Sequence, residues 1–212
     1  MKNKIICLLS DGLDSPVAAT LMIKKGFHPI FVSFLTSITE LNQMQEKLIN
    51  IGKKISSYTP DLLNLYLIPH NDNLNLIKKT CQRKLTCILC KRFMFRVAKK
   101  IAKIEKTNYI LTGDILGEQA SQTLDNLYSY NDLFRDYVKI SPLIGFNKLD
   151  IINLNKTFSF YSISSQKINS CQHYPQYPET RAKISEVKNA ENLLDYETLI
   201  LKTIQNAQIL KI

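Results

Sequence analysis

Short apolar runs alternate along the chain with longer segments in which apolar residues recur at helical spacing. The runs are too short for helices and are bounded by turn residues, which is typical of buried strands. Strands are predicted at residues 5–9, 28–34, 63–68, 109–114 and 138–143. Helices are predicted between them, at residues 17–25, 39–56, 71–79, 93–104 and 145–154. This alternation predicts an α/β fold with a mainly parallel five-stranded sheet flanked by helices.

The first turn between strand and helix is the polar stretch Ser10-Asp11-Gly12-Leu13-Asp14-Ser15. Pro16, which follows it, suits the first turn of a helix. Such a turn directs backbone N–H groups and a helix N-terminus at one place, which makes it a candidate anion site. The chain has no Walker loop and no Gly-x-Gly-x-x-Gly fingerprint, so those two phosphate loops are excluded. An ordinary capped turn is the alternative.

The 212 residues, 45% of them hydrophobic, suffice for one α/β domain with a full core. Because no apolar run approaches the length of a membrane span and the N-terminus lacks signal-peptide features, we expect a cytoplasmic protein without a membrane partner. Five cysteines in a reducing compartment are expected to be catalytic or metal-binding rather than paired in disulfides.

The positive charge is concentrated between residues 78 and 106. This segment contains eleven lysine and arginine residues but only one acidic residue, Glu105. That excess equals the net charge of the whole chain, +10. A local basic segment favours contact with a polyanion such as RNA, although a solvated helix face is the alternative. The residues expected to contact RNA are Lys84, Arg92, Arg96, Lys99 and Lys103.

Cys87 and Cys90 form a Cys-x-x-Cys unit, whose spacing lets two thiolates reach one metal or cluster. Lys91 and Arg92 follow directly and are expected to lower the pKa of both thiols. The unit alone is only moderately specific, because a zinc site needs a second pair. Cys171 lies far along the chain in a loop that two prolines make rigid.

A second polar stretch, Leu116 to Thr123, follows the fourth predicted strand. Gly113 and Gly117 are two of the six glycines in the chain. A glycine at a strand end permits close approach of another backbone or of a nucleotide. A simple turn would use fewer polar side chains than this stretch contains.

Taken in order, several stretches resemble the catalytic domain of the tRNA 4-thiouridine synthases, the ThiI family, between about residues 4 and 180. They are Ser10–Ser15 with Pro16-Val17-Ala18; Lys91-Arg92 with Met94 and Arg96; Thr112-Gly113 with Leu116-Gly117 and Ser121-Gln122-Thr123-Leu124; and Pro142-Leu143-Ile144 with Lys148 and Ile151-Ile152. The resemblance implies the PP-loop ATP pyrophosphatase fold, which is similar to the adenine nucleotide alpha hydrolases. Asp11 departs from the pattern, since the family usually has glycine or another small residue there.

The resemblance implies an enzyme that uses ATP and Mg²⁺ to adenylate the C4 carbonyl oxygen of a tRNA uridine, after which sulfur displaces AMP. Asp14 and Lys148 match residues needed for adenylation, and Cys171 matches an active-site cysteine. The positions implied around ATP are Leu8, Leu9, Ser10, Asp11, Gly12, Leu13, Asp14, Ser15, Ser33, Phe34, Lys91, Gly113 and Gln122.

Two features bear on how sulfur would be delivered: whether the sequence shows a rhodanese domain, and whether it has the paired cysteines of some family members. Many bacterial members carry a rhodanese domain, whereas this sequence shows none and has Cys87 and Cys90 instead. With Cys171 they would hold a 4Fe–4S cluster whose open iron binds sulfide; a zinc site or a redox-active Cys171 are the alternatives. Cys7 is expected in the core, whereas Cys81 and His173 receive no role.

The expected organisation is a catalytic domain at 1–179 and a helical tail at 180–212, with no RNA-binding THUMP region in the sequence. We therefore expect tRNA to be recognised with a separate THUMP-bearing chain, and we expect a separate sulfur donor and a homodimer. Two competing interpretations are a PP-loop enzyme that adenylates a small molecule and a non-catalytic RNA-binding subunit.

Overall fold

The computed structural model describes residues 3–212, which form a six-stranded sheet in the order β5-β4-β1-β2-β3-β6. The strands are β1 (Asn3–Leu8), β2 (Phe27–Leu35), β3 (Asn64–Pro69), β4 (Tyr109–Leu111), β5 (Val138–Ile140) and β6 (Gln208–Lys211). Strands β1 to β5 pair in parallel, and β6 runs antiparallel to β3. The predicted parallel α/β fold is therefore confirmed.

The helices are α1 (Asp14–Lys24), α2 (Leu41–Ser56), α3 (Asn71–Thr80), α4 (Thr86–Glu105), α5 (Leu124–Tyr128), α6 (Lys148–Thr157), α7 (Tyr161–Ser164), α8 (Ile184–Glu191) and α9 (Tyr196–Gln205). They cover both faces of the sheet. One core contains buried residues of α1, α2 and α6, and a second contains α4 with α9 packed against it. A smaller third core joins α3, α4 and α8.

The structure differs from the predicted elements at several places. Strands β4 and β5 end at Leu111 and Ile140 rather than at residues 114 and 143, and the short helices α5 and α7 were not predicted. A sixth strand is present, because Leu210 at the end of the chain pairs with Leu65 of β3. This strand has four residues, too few for a periodic signal. Helix α4 begins at Thr86 instead of residue 93, so Cys87 and Cys90 lie within its first two turns. The boundary after residue 179 stays a prediction.

The strand order reverses between β1 and β4, because the chain passes from β1 to β2 and β3 on one side and returns to β4 on the other. Ligands of open parallel sheets bind at such a switch point, at the carboxyl ends of the strands. Between residues 3 and 212, no helix is both long and apolar enough to cross a membrane.

Candidate nucleotide and thiol site

A cleft of about 400 Å³ opens at the carboxyl ends of β1 and β4; we call it the β1–β4 cleft. Its walls come from the turn after β1, the start of α4, the segment after β4 and the loop around Cys171. Predicted site residues that line it are Leu8, Ser10, Asp14, Ser15, Cys87, Cys90, Lys91, Gly113, Gln122 and Cys171. Predicted site residues up to 163 positions apart in the chain, Leu8 and Cys171, thus meet at one site.

The turn at residues 9–13, which we call the phosphate loop, is held by two serine hydroxyls. Ser15 Oγ accepts the Ser10 N–H at 2.8 Å and donates to the Ser10 carbonyl at 3.2 Å. Ser10 Oγ accepts the N–H of Gly12 at 3.4 Å. These bonds close the loop on the first turn of α1, whose N-terminal N–H groups suit an anion such as a phosphate.

Gly113, at the end of β4, packs against the backbone of this first turn. A Cβ atom there would lie 2.8 Å from the backbone nitrogen of Ser15 and 2.9 Å from its Cα. Because both neighbours are backbone atoms, neither yields cheaply, so any larger residue would push the phosphate loop away from β4. The predicted close approach at this glycine is an approach to the loop itself.

Helix α6 contacts both the phosphate loop and the first residue of α1. Lys148 Nζ lies 2.7 Å from Asp14 Oδ1, and the Nδ2 amide of buried Asn155 donates to the Leu13 carbonyl at 2.8 Å. Asn147 caps the helix by accepting the N–H of Asp150 at 2.9 Å. The sequence indicated Lys148, but no local signal pointed to Asn155.

Asp11 turns away from the place where a phosphate would bind. Its Oδ2 accepts a hydrogen bond from the Ser170 hydroxyl at 2.5 Å and lies 3.5 Å from Nζ of Lys47. Lys47 is buried and also donates to the carbonyls of Ser164 and Gln166. The carboxylate that departs from the family pattern is therefore neutralised by a cation, and its repulsion of a polyphosphate is reduced.

A buried carboxylate that sequence analysis missed organises the wall formed by β4 and β5. Asp114 binds Lys91 Nζ at 2.5 Å and Lys139 Nζ at 2.7 Å, and it accepts the Thr112 hydroxyl at 2.8 Å. Burial alone would raise the pKa of Asp114, but the two lysines outweigh it and hold that pKa well below its usual range. Burial also lowers the pKa of Lys91, and the negative charge of Asp114 partly opposes this decrease.

Two cysteines of the cleft, Cys87 and Cys90, differ from the sequence expectation in their acidity. Burial, and then the neighbouring Cys171, raises the pKa of Cys87 to about 11. Burial and the thiols of Cys171 and Cys87 also raise the pKa of Cys90, which Lys91 only partly opposes. The expectation that adjacent cations lower these pKa values is wrong, because desolvation is the larger effect.

The arrangement of donors bears on the predicted cluster. Cys87 and Cys90 are three residues apart on α4, so they share a helix face, and both line the cleft with Cys171. A set of three thiols suits an iron–sulfur cluster better than a hard cation. Within residues 3–212, however, no group of three or more His, Cys, Asp or Glu side chains stands at metal-binding geometry. The cluster stays a prediction.

Two buried histidines lie behind the thiols. His70 Nε2 is 3.4 Å from Cys90 Sγ, and burial, with His173 nearby, lowers the pKa of His70 to about 3. His173 lines the cleft, and its Nε2 pairs with Asn71 Oδ1 at 3.1 Å. Because Asn71 Nδ2 donates to the Ser37 carbonyl, its Oδ1 faces His173, and His173 therefore carries its proton on Nε2. Burial, together with Lys78 and Arg83, also lowers the pKa of His173, so both histidines are neutral near pH 7.

The sequence profile of the family described as "Thiamine biosynthesis protein (ThiI)" matches residues 1–196 of the 212. The chain belongs to the ThiI family. Its resemblance to that family, first noted from separated motifs, is therefore confirmed over most of its length.

ThiI-family relatives with curated names are similar to this chain over nearly all of its length. One from Methanosarcina mazei, named probable tRNA sulfurtransferase, is 36% identical over 100% of this chain and 52% of the relative. One from Methanocaldococcus jannaschii with the same name is 38% identical over 88% of this chain and 49% of the relative. The chain thus spans about half the length of the curated relatives it matches.

A solved structure is similar to this chain in fold as well as in sequence. The crystal structure of a 4-thiouridine synthetase–RNA complex with bound ATP is similar to this chain with a TM-score of 0.92 at 28% identity. The match covers 99% of this chain and 55% of that one. The chain therefore shares the fold of the matching part of that synthetase over nearly all of its length.

Six of the residues that the ThiI resemblance placed around ATP do not line the β1–β4 cleft. Leu9 is buried in the core on the α1 side, Ser33 is fully buried within β2, and Phe34 packs edge-on against His70. Asp11, Gly12 and Leu13 belong to the phosphate loop without lining the cleft. For all six, contact with ATP stays a prediction.

The basic residues of this ThiI-family chain divide into buried and exposed groups. Arg92 is 1% exposed, and its guanidinium binds both Asp132 oxygens and Glu191. The expectation that Arg92 contacts RNA is therefore wrong, since the side chain joins α4 to α8 inside the protein. Arg96 pairs with Glu191, and Lys84 pairs with Glu179 and Glu186.

Lys99 and Lys103 complete the predicted RNA-contacting set. Lys103 is exposed, whereas Lys99 is half-buried with its ammonium 5.1 Å from the centre of the Tyr137 ring. Arg96 similarly stacks on the Tyr196 ring at 4.9 Å. Contact of these residues with RNA stays a prediction.

Proposed function

We propose that this chain uses ATP to adenylate the C4 carbonyl oxygen of a uridine in tRNA and then replaces that oxygen by sulfur. The observation that carries the proposal is that the phosphate loop and three thiols open on one cleft. The names of the relatives and the RNA and ATP in the similar solved structure support the choice of tRNA and ATP as substrates.

Adenylation requires that the uridine oxygen attack the α-phosphorus of ATP while pyrophosphate leaves. The N-terminus of α1 and the N–H groups of the phosphate loop would bind the leaving phosphates. Lys148, held by Asp14, and Lys91, held by Asp114, would offset the charge that develops on them. Mg²⁺ bound to the phosphates would find a carboxylate ligand in Asp14.

In the second step, hydrosulfide adds to C4, AMP leaves with the former carbonyl oxygen, and one proton is released. Cys87, Cys90 and Cys171 are the residues whose thiolates would hold a 4Fe–4S cluster. When bound, such a cluster supplies an iron without a protein ligand, at which sulfide can be held. Cys87 and Cys90, whose thiol pKa values are raised by burial, must lose their protons when the cluster assembles, so assembly would be favoured as pH rises.

The proposal includes partners. Lys84, Arg96, Lys99 and Lys103 would contribute phosphate contacts, and a separate THUMP-bearing chain would add the remaining tRNA affinity. A distinct sulfur donor, a homodimer and a cytoplasmic location complete the proposed setting. A salt titration of tRNA binding tests the first point, since removing one cation that binds a phosphate reduces the slope of log affinity against log salt by about 0.9.

The deciding experiment is ATP–pyrophosphate exchange by the purified chain, with and without tRNA. Exchange that requires tRNA supports adenylation of RNA. Exchange without tRNA would point to a small-molecule substrate, and no exchange under either condition, including with an added THUMP-bearing chain, would contradict the enzymatic proposal.

The cluster needs its own measurement. Protein purified without oxygen should contain iron and acid-labile sulfide, and replacement of Cys87, Cys90 and Cys171 by alanine should remove both. Cys81→Ala is the matched control, because that thiol lies in the core formed by α3, α4 and α8. Metal-free protein that still thiolates tRNA would contradict the cluster and leave Cys171 as the sulfur carrier.

A further inference from the structure

Asp11 connects the phosphate loop to the loop that carries Cys171. The Ser170 hydroxyl donates to Asp11 Oδ2 at 2.5 Å, and the Ser170 carbonyl accepts the Thr36 hydroxyl at 2.5 Å. Ser170 is therefore bound on both sides, and Cys171 is the next residue in the chain. These contacts span 159 residues between Asp11 and Ser170.

Lys47 holds the same junction from α2. Its side chain is 3% exposed, and its ammonium donates to the Ser164 and Gln166 carbonyls at 3.2 and 2.8 Å. The Asp11 carboxylate, 3.5 Å away, balances the buried charge. One lysine therefore orders both the phosphate loop and the segment that leads to Ser170.

We infer that Asp11 and Ser170 are positioning residues that set the place of Cys171 relative to the phosphate loop. The inference rests on the proposed function and deepens it, because it assigns a role to the residue by which this chain departs from its family. Asp11 touches neither phosphate nor sulfur in this role; it acts through Ser170.

The physical reason is geometric. The C4 atom of the uridine must first present its oxygen to the α-phosphorus and then accept sulfur from the thiol side of the cleft. Reacting atoms need to be about 3–3.5 Å apart in aligned orientation, and a displacement of about 1 Å can cost about 100-fold in rate. A short hydrogen bond between the two loops limits such displacement, so its loss should affect sulfur transfer more than adenylation.

The test uses Ser170→Ala, which removes the bond to Asp11 while leaving the Asp11–Lys47 pair intact. With tRNA, ATP and inorganic sulfide, thiolation should fall at least about tenfold, whereas tRNA-dependent pyrophosphate exchange should stay within about twofold of the parent. Ser170→Thr, which keeps the hydroxyl, should restore thiolation. Ser165→Ala is the control, because that exposed hydroxyl donates only locally, to Tyr161.

Asp11→Ala in combination with Ser170→Ala tests the connection itself. If the two residues act through their shared hydrogen bond, the double variant should thiolate no more slowly than Asp11→Ala alone. Equal loss of exchange and thiolation in Ser170→Ala would indicate general disruption and overturn the inference, as would no loss of either. A parent protein that neither exchanges pyrophosphate nor thiolates tRNA would instead overturn the proposed function on which the inference rests.

Discussion

Lys148 Nζ and Asp14 Oδ1 lie 2.7 Å apart although 134 residues separate them in the chain. The pair joins the first residue of α6 to the first residue of α1, and the latter directly follows the phosphate loop in the chain. Lys148 keeps 39% of its side chain exposed, so the ammonium is accessible from solvent as well as bound to Asp14. A cation in this position can meet an arriving polyphosphate without first breaking a buried ion pair.

Lys148→Ala should lower pyrophosphate exchange by about 100-fold, the usual loss when one charge-stabilising donor is removed. The free energy of unfolding should fall by less than about 1 kcal/mol, because partly exposed ion pairs contribute little. Exchange assays and urea unfolding measure the two effects. Lys156→Ala, on the last turn of the same helix, is the control; equal exchange by both variants would contradict the role of Lys148.

Gly113→Ala should destabilise the protein by about 1–3 kcal/mol, the usual cost of overpacking. The new methyl group would meet the Ser15 backbone at 2.8 Å, so ATP binding should weaken as well. Urea unfolding and calorimetric titration with ATP measure both. Gly145→Ala is the matched control, because a Cβ at Gly145 meets nothing within 4 Å. If Gly113→Ala were as stable as Gly145→Ala, the prediction would be wrong, because β4 and the phosphate loop could then move apart at little cost.

Asp114 should make stability depend on pH in the acid range. Its pKa is lower in the folded than in the unfolded protein, so between the folded value and about 3.9 the unfolded chain binds more protons. The stabilisation is therefore complete above about pH 4 and is lost as pH falls through the folded pKa. Asp114→Asn should show a shallower loss of unfolding free energy below pH 4 than the parent.

Urea unfolding followed by circular dichroism between pH 5 and the acid limit of folding measures that difference. Asp125→Asn, at an exposed carboxylate on α5, is the control and should follow the parent. Parallel acid profiles for Asp114→Asn and the parent would contradict the assigned ion pairs with Lys91 and Lys139.

Arg92→Met should reduce the free energy of unfolding by about 3–5 kcal/mol, because it leaves buried Glu191 without its closest cation. Lys103→Met, on the same helix but exposed, should change stability by less than about 0.5 kcal/mol. In tRNA titrations the exposed residue should have the larger effect. Lys103→Met should lower the slope of log affinity against log salt by about one, and folded Arg92→Met should leave that slope unchanged. A lower slope for Arg92→Met would mean that the guanidinium reaches RNA.

The fold and much of the cleft followed from local patterns. The apolar run before Ser10 and Pro16 after Ser15 define a strand, a turn and a helix start, and each is confirmed. Motif order placed Lys148 and Cys171 with the phosphate loop, and the structure brings both to it. Asp114 could have been found from its position, because it directly follows Gly113 at a strand end.

Arg92 and Lys47 show why the other assignments needed the tertiary structure. A basic residue in a charged segment is expected to be exposed, yet Asp132 and Glu191, each at least 40 positions away, surround Arg92. Lys47 lies in an ordinary amphipathic helix, and only the packing of residues 164–170 makes it buried. Neither partner set has a fixed spacing that a sequence pattern can express.

Local sequence was thus sufficient for the five parallel strands, the main helices between them, the phosphate loop and the family, because these depend on periodicity, turn chemistry and short motifs. Long-range packing alone settled which charges are buried, the raised pKa values of the thiols, the sixth strand and the bond between Asp11 and Ser170. The physical reason is that burial and pairing are properties of neighbours in space, and in this chain hydrogen-bonded neighbours lie up to 163 residues apart.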